Sequence, residues 1–154
     1  MSPTLRDELR QTKPFTSLEH EAHLSVLRTA ALLEGEFEQL LKPHGITGAQ
    51  YNVLRILRGA EPDGLCRNEV RDRLVTRMPD VTRLLDRMEE AGLVTRERSD
   101  EDRRMVRTRL TRVGRRLVDG LDAAAAEQHA RAFRHLDRQQ LRALIDLLQK
   151  AREA

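Results

Sequence analysis

The chain has 154 residues, 34% of them charged, yet its formal net charge is only +3. That length supports one well-buried core with some surface left over for an interface. The single cysteine, Cys66, excludes an intrachain disulfide and fits a reducing compartment, and no apolar run approaches the ~18 residues of a membrane span.

The first thirteen residues are polar and lack the apolar centre of a signal peptide, so a cytoplasmic location is expected. They read as an arm, mobile or packed on a partner. Thr16-Ser17-Leu18-Glu19 matches a capping box with Thr16 as N-cap and Glu19 reaching back. A long helix follows to about Leu41, ended by Lys42-Pro43-His44-Gly45. Its apolar residues (Leu24, Leu27, Ala31, Leu32, Phe37, Leu40, Leu41) spread over more than one stripe. Such a helix needs burial on two sides, against its own core and against another chain.

Thr47-Gly48-Ala49-Gln50 is a second capping box, opening a helix with Tyr51, Val53, Leu54, Ile56 and Leu57. Gly59 to Gly64 breaks the chain into a loop. Arg67 to Leu74 forms a short helix buried through Val70 and Leu74, with Cys66 a small plug at its start. Val75-Thr76-Arg77-Met78 is a tight turn into the next helix, so two short helices are separated by about four residues, a helix-turn-helix spacing. In the second of them Val81, Leu84, Leu85 and Met88 recur at helical spacing and form a buried stripe. Thr82, Arg83, Asp86, Arg87 and Glu90 take the opposite face. Pro79 suits a first helical turn and Gly92 the position just past the end.

Leu93 to Arg98 and Met105 to Leu110 are short extended runs joined by the polar turn Ser99 to Arg104, a hairpin pattern. Thr111 then caps a helix from Arg112 to about Phe133. Asp137 and Gln140 cap a last helix with Leu141, Leu144, Ile145, Leu147 and Leu148 on a broad apolar face. From Arg103 to Arg116 there are seven arginines and no acidic residue, and the whole chain has three lysines. Positive charge carried as guanidinium suits phosphate and guanine contacts. With 3% aromatics and no tryptophan, the chain has few platforms for stacking on single strands, so duplex DNA is the expected partner.

The ordered motifs Thr47-x-x-Gln50-x-x-Val53-Leu54, Val81 to Glu89, Gly92-Leu93-Val94-x-Arg96, Asp102-Arg103-Arg104 and Leu110-Thr111-x-x-Gly114 resemble the MarR family of winged helix-turn-helix transcriptional regulators. The resemblance implies a mainly α fold with a small β-wing. It divides the chain into an arm and dimerisation helix (1–45), a winged DNA-binding domain (46–111) and C-terminal dimerisation helices (112–154). It also implies a homodimer that represses a palindromic operator and is released by a small phenolic or lipophilic anion, with no cofactor. Tyr51 is a candidate for lining the effector pocket.

A two-fold dimer places two recognition helices about one turn of DNA apart, which calls for a pseudo-palindrome. The candidates for the major groove are Arg77, Asp80, Thr82, Arg83 and Arg87. Arg83 and Arg87 lie one helical turn apart and can reach guanine edges, phosphates, or Asp86 and Glu90 along their own helix. In the wing motif, Asp102 is expected to accept hydrogen bonds from Arg104 and aim its guanidinium at a narrow minor groove, with Arg103 near phosphates. Arg96 belongs to the same motif set. Arg67 and Asn68 open the preceding helix and could bind a phosphate.

Three other readings of the residues are open. A nucleophilic Cys66 would need a partner base, and no matching histidine constellation accompanies it. Redox sensing through Cys66 is an alternative, because a helix N-terminus lowers a thiol pKa. Metal sensing through His20 and His23, with Glu19, Glu21 and His44 nearby, would need three or four converging ligands.

Overall fold

The computed structural model describes residues 2–153. In chain order the elements are α1 (Leu5–Glu8), α2 (Leu18–Leu41), a 3-10 turn (Lys42–His44), α3 (Gly48–Gly59), β1 (Leu65–Cys66), α4 (Arg67–Arg73), α5 (Val81–Glu90), β2 (Val94–Arg98), β3 (Val106–Leu110), α6 (Arg112–Ala132) and α7 (Arg138–Ala151). The strands form one antiparallel sheet in the order β1-β3-β2. The hairpin register pairs Val94 with Leu110, Arg96 with Thr108 and Arg98 with Val106. Two-residue β1, absent from the sequence reading, pairs Leu65 with Thr108 on the other side of β3.

Local chemistry sets most boundaries. Thr47 and Gln50 form the expected reciprocal cap at the start of α3, and Asp137 with Gln140 does so for α7. Helix α5 ends in a Schellman motif: Gly92 has φ of 74°, its N–H donates to the Glu89 carbonyl, and Leu93 N–H donates to that of Met88. Only glycine adopts that φ without steric cost.

Four expectations need correction. The N-cap of α2 is Ser17, whose hydroxyl accepts the His20 N–H, while Thr16 bonds the His20 ring through Oγ1 at 2.9 Å. Pro79 lies outside α5, because Asp80 takes the N-cap position and accepts the Arg83 N–H at 2.9 Å. The connection between α4 and α5 is therefore residues 74–80, longer than the four-residue turn the spacing predicts. The arm, finally, carries a helical turn capped by Thr4 and Asp7, and Glu8 ties it to Arg28 of α2 at 3.2 Å.

The core gathers Leu41, Val53, Leu54, Leu57, Val70, Leu85, Met88, Val94, Val118 and Leu121, each essentially inaccessible. All four predicted stripe residues of α5 are in it. The long helices behave differently. Helix α2 buries only Leu41 along its whole length, and α7 buries nothing. Leu18, Val26, Leu27, Leu32, Ile145 and Leu147 stay exposed.

Helix α6 is anchored to α3 by charge. Arg58 donates from Nη1 to Asp119 at 2.7 Å and from both terminal nitrogens to Asp122 at 2.8 and 2.9 Å. The hydrogen bond from Arg58 holds the Asp122 carboxyl below the ordinary carboxylate range. A carboxyl with a depressed folded pKa contributes stability above its unfolded pKa of about 3.9 and loses it as pH falls through the folded value. Thermal melts are therefore expected to be flat near neutrality and to fall in acid. Asp122→Asn should lower the neutral midpoint and shrink the acid-side drop; an unchanged pH profile would remove Asp122 from this account.

Candidate nucleic-acid interface

Helix α5 presents two faces of opposite character. Its buried stripe leaves Thr82, Arg83 and Arg87 exposed on the other side. Among the described residues, the guanidinium groups of Arg83 and Arg87 make no hydrogen bond or ion pair, so neither pairs with Asp86 or Glu90. The wing turn beside this face carries Arg103 and Arg104, also exposed and unpaired.

The wing turn is built by its own backbone. Ser99 N–H donates to the Met105 carbonyl at 2.8 Å and Met105 N–H to the Asp102 carbonyl at 2.9 Å. Asp102 Oδ1 accepts the backbone N–H of Arg104 at 3.0 Å. This corrects the expected contact with the Arg104 guanidinium: the carboxylate shapes the turn and leaves the guanidinium free. An Asp bonding the backbone two residues ahead is a common turn former.

Several candidates converge and others do not. Arg67, Asn68, Thr82, Arg96 and Arg104 border one open cleft of about 450 Å³ between the start of α4, the start of α5 and the wing, floored by Thr108 and Leu85. Across it, Arg67 Nη1 donates to Thr82 Oγ1 at 3.1 Å. Asp80 is committed to capping α5. Arg96 is committed too: its guanidinium lies 2.9 Å from Glu89 and 2.5 Å from Asp86, and its backbone N–H donates to Glu89 at 3.1 Å. The hydrogen bond from Arg96 keeps the Glu89 carboxyl below the usual range. Arg96 therefore braces the wing strand against α5.

Arg77 lies elsewhere, with Tyr51, along a second cleft of about 940 Å³ bounded by α2, α3 and the 74–79 connection. Tyr51 is buried, and its ring meets Phe37 edge-on at 5.1 Å. Phe37 stacks in turn on His129 of α6 at 5.4 Å. Asn52, not among the residues expected to matter, accepts the Val75 N–H at 2.9 Å and holds the connection against α3. No local pattern marks Asn52, because its partner is 23 residues away.

Cys66 is more than a plug: it is the last residue of β1 and the N-cap of α4, where Glu69 accepts its backbone N–H at 2.8 Å. His20 is engaged with Thr16 and packs edge-on against Phe15 at 5.8 Å. Among the described residues no three His, Cys, Asp or Glu side chains converge as a metal site would require. No helix among the described residues is long and apolar enough to cross a membrane.

A helix-turn-helix pair whose second helix exposes arginines beside a projecting arginine-tipped hairpin defines a winged helix-turn-helix protein. A family model described as MarR family matches residues 44–105. The HTH-type transcriptional regulator TtmR of Methylorubrum extorquens (strain PA1) is 33% identical over 153 residues, 99% of this chain and 73% of that protein. The crystal structure of a MarR transcription factor from Planctomyces limnophilus is 37% identical, with a TM-score of 0.67 over 88% of this chain and 98% of that one. A mutant MarR from E. coli, crystallised with operator DNA, shares the fold at a TM-score of 0.78 and 24% identity, covering 88% of this chain and 99% of that one. The chain belongs to the MarR family and is a DNA-binding transcriptional regulator.

Proposed function

We propose that the protein is a cytoplasmic homodimeric repressor of a pseudo-palindromic operator, released by a small phenolic or lipophilic anion. The observation that carries the DNA-binding part is the set of exposed, unpaired arginines Arg83 and Arg87 on α5 and Arg103 and Arg104 on the wing. An unpaired exposed guanidinium is free to make charge-assisted bonds to phosphate or bidentate bonds to guanine. In this reading residues 46–111 bind DNA, with Arg83 and Arg87 in the major groove, Arg104 in the minor groove, and Arg67, Asn68, Thr82 and Arg103 beside them. Arg77 meets the backbone at the approach to α5. Asp80, Asp102 and Arg96 act indirectly, by capping, turn-shaping and bracing.

Residues 1–45 and 112–154 form the dimerisation helices. The exposed leucines and isoleucine of α2 and α7 support this, since two-fold association is the commonest way to cover such faces. The effector is assigned to the cleft lined by Phe37, Tyr51, Arg55 and Arg77, whose volume of about 940 Å³ lies within the usual range for small-molecule sites. An occupant there would press on the connection that ends in the N-cap of α5.

The test is binding of the wild type and Arg104→Ala to duplex from the intergenic region beside the gene, by fluorescence anisotropy. Loss of one charged hydrogen bond in each of two half-sites predicts about 10²–10⁴-fold weaker binding at unchanged thermal stability. Equal affinities would end the wing assignment. Salicylate added to the complex is expected to release DNA, and Tyr51→Ala to blunt that release.

A further inference from the structure

A threonine hydroxyl has one donor hydrogen and two acceptor lone pairs. Left alone it bonds to base edges of either kind, the acceptors of guanine, adenine N7 and thymine O4, or the amino groups of cytosine and adenine. Thr82 is not left alone. Arg67 Nη1 donates to its Oγ1 at 3.1 Å from 15 residues earlier in the chain. Guanidinium carries no acceptor, so this bond runs in one direction only. The Thr82 hydrogen must therefore point elsewhere, and among the described residues the hydroxyl has no other partner.

The position of the pair gives this asymmetry a use. Thr82 is exposed in the first turn of α5, and Arg67 is exposed at the first position of α4. In helix-turn-helix docking the N-terminal end of the second helix meets the base edges. A hydroxyl that already accepts from a cation is also polarised toward donating.

We propose that Arg67 tunes sequence specificity through Thr82: by taking one of the hydroxyl's two lone pairs and polarising its O–H, it biases Thr82 toward donating a hydrogen bond to DNA. A base that offers an acceptor is then favoured over cytosine, whose major-groove edge offers only an amino donor, on the contacted strand. Arg67 is thus a specificity-determining residue acting through a neighbour, in addition to any phosphate it touches. This inference rests on the placement of α5 in the major groove.

The experiment is selection of bound duplexes from a randomised double-stranded DNA pool by the full-length protein, as wild type, Arg67→Ala, Thr82→Val, the double variant and Arg83→Ala. Arg67→Ala is expected to raise the frequency of cytosine about two- to tenfold at one position of each half-site, the size of one net hydrogen bond. Thr82→Val is expected to flatten that position, and the double variant to match Thr82→Val. An Arg67→Ala profile that equals the wild type, or weakens on all sequences alike, overturns the proposal. If Arg83→Ala also leaves every base preference unchanged, the failure lies instead with α5 as the reading helix.

Discussion

Aspartate at both Ile145 and Leu147 is expected to yield a folded monomer that binds operator duplex about 10²–10⁴-fold more weakly, the loss that accompanies a second linked binding event. Both side chains are more than half exposed, at 61% and 64%, so the single chain loses little by their replacement. In the proposed dimer this region is what the second chain covers. Helix α7 is 14 residues long and buries none of them, and isolated helices of that length are marginal in water. Apolar area withdrawn from water contributes roughly 25 cal/mol per Å², so the exposed leucines of α2 and α7 together represent a substantial driving force for pairing. Two carboxylates per chain would have to be desolvated on closing the same interface, which reverses the sign of that term. Sedimentation velocity reads the assembly and anisotropy the affinity. A double variant that still sediments as a dimer would move the interface away from α7.

Gly114→Ala is expected to lower stability by about 1–3 kcal/mol, the usual cost of forcing a methyl into close packing. For a chain of this size, each kcal/mol corresponds to roughly 2–4 °C in the thermal midpoint. Gly114 is buried in the first turn of α6, where a Cβ would overlap the carbonyl of Leu93. That carbonyl cannot yield easily, because it accepts the Thr111 N–H at 3.1 Å. Thr111 in turn caps Gly114 at 3.0 Å and donates to the Gly92 carbonyl at 2.6 Å. The start of α6 is thereby stitched to the end of α5 and the first strand of the wing. Gly120→Ala is the internal control. It lies in the same helix with nothing near its missing Cβ, and there alanine is expected to stabilise by about 0.5–1 kcal/mol. If both variants melted alike, the close approach at Gly114 would carry no energetic weight.

What was legible in the sequence is what is local. The α5 stripe, its glycine stop and the caps at Thr47, Thr111 and Asp137 each depend on residues within a turn or two, and all stand in the structure. The cap of α2 falls one residue later than its sequence pattern suggests, because Thr16 and Ser17 are chemically equivalent candidates and only the path of the chain chooses between them. Strand β1 is two residues long and exists by pairing with β3, some forty residues on, so no periodicity could mark it. The charged contacts are hidden for the same reason. Arg96 looked like a further DNA contact, yet its partners Asp86 and Glu89 come back to it across the turn after α5. The Arg67–Thr82 pair and the cleft lined by Tyr51 likewise need the fold before they exist.

The brace from Arg96 to α5 has a mechanical meaning. A hairpin attached only through its turn would swing, and a swinging wing would accept DNA of many shapes. With Arg96 tied to two carboxylates of α5, helix and hairpin form a calliper with a fixed opening. In the proposed binding mode such an instrument would gauge the distance between adjacent grooves as well as the letters inside them. Duplexes that are overwound, or bent so as to close that distance, would be rejected even with every base correct, and loosening Arg96 would widen the range of shapes accepted before it changed any letter.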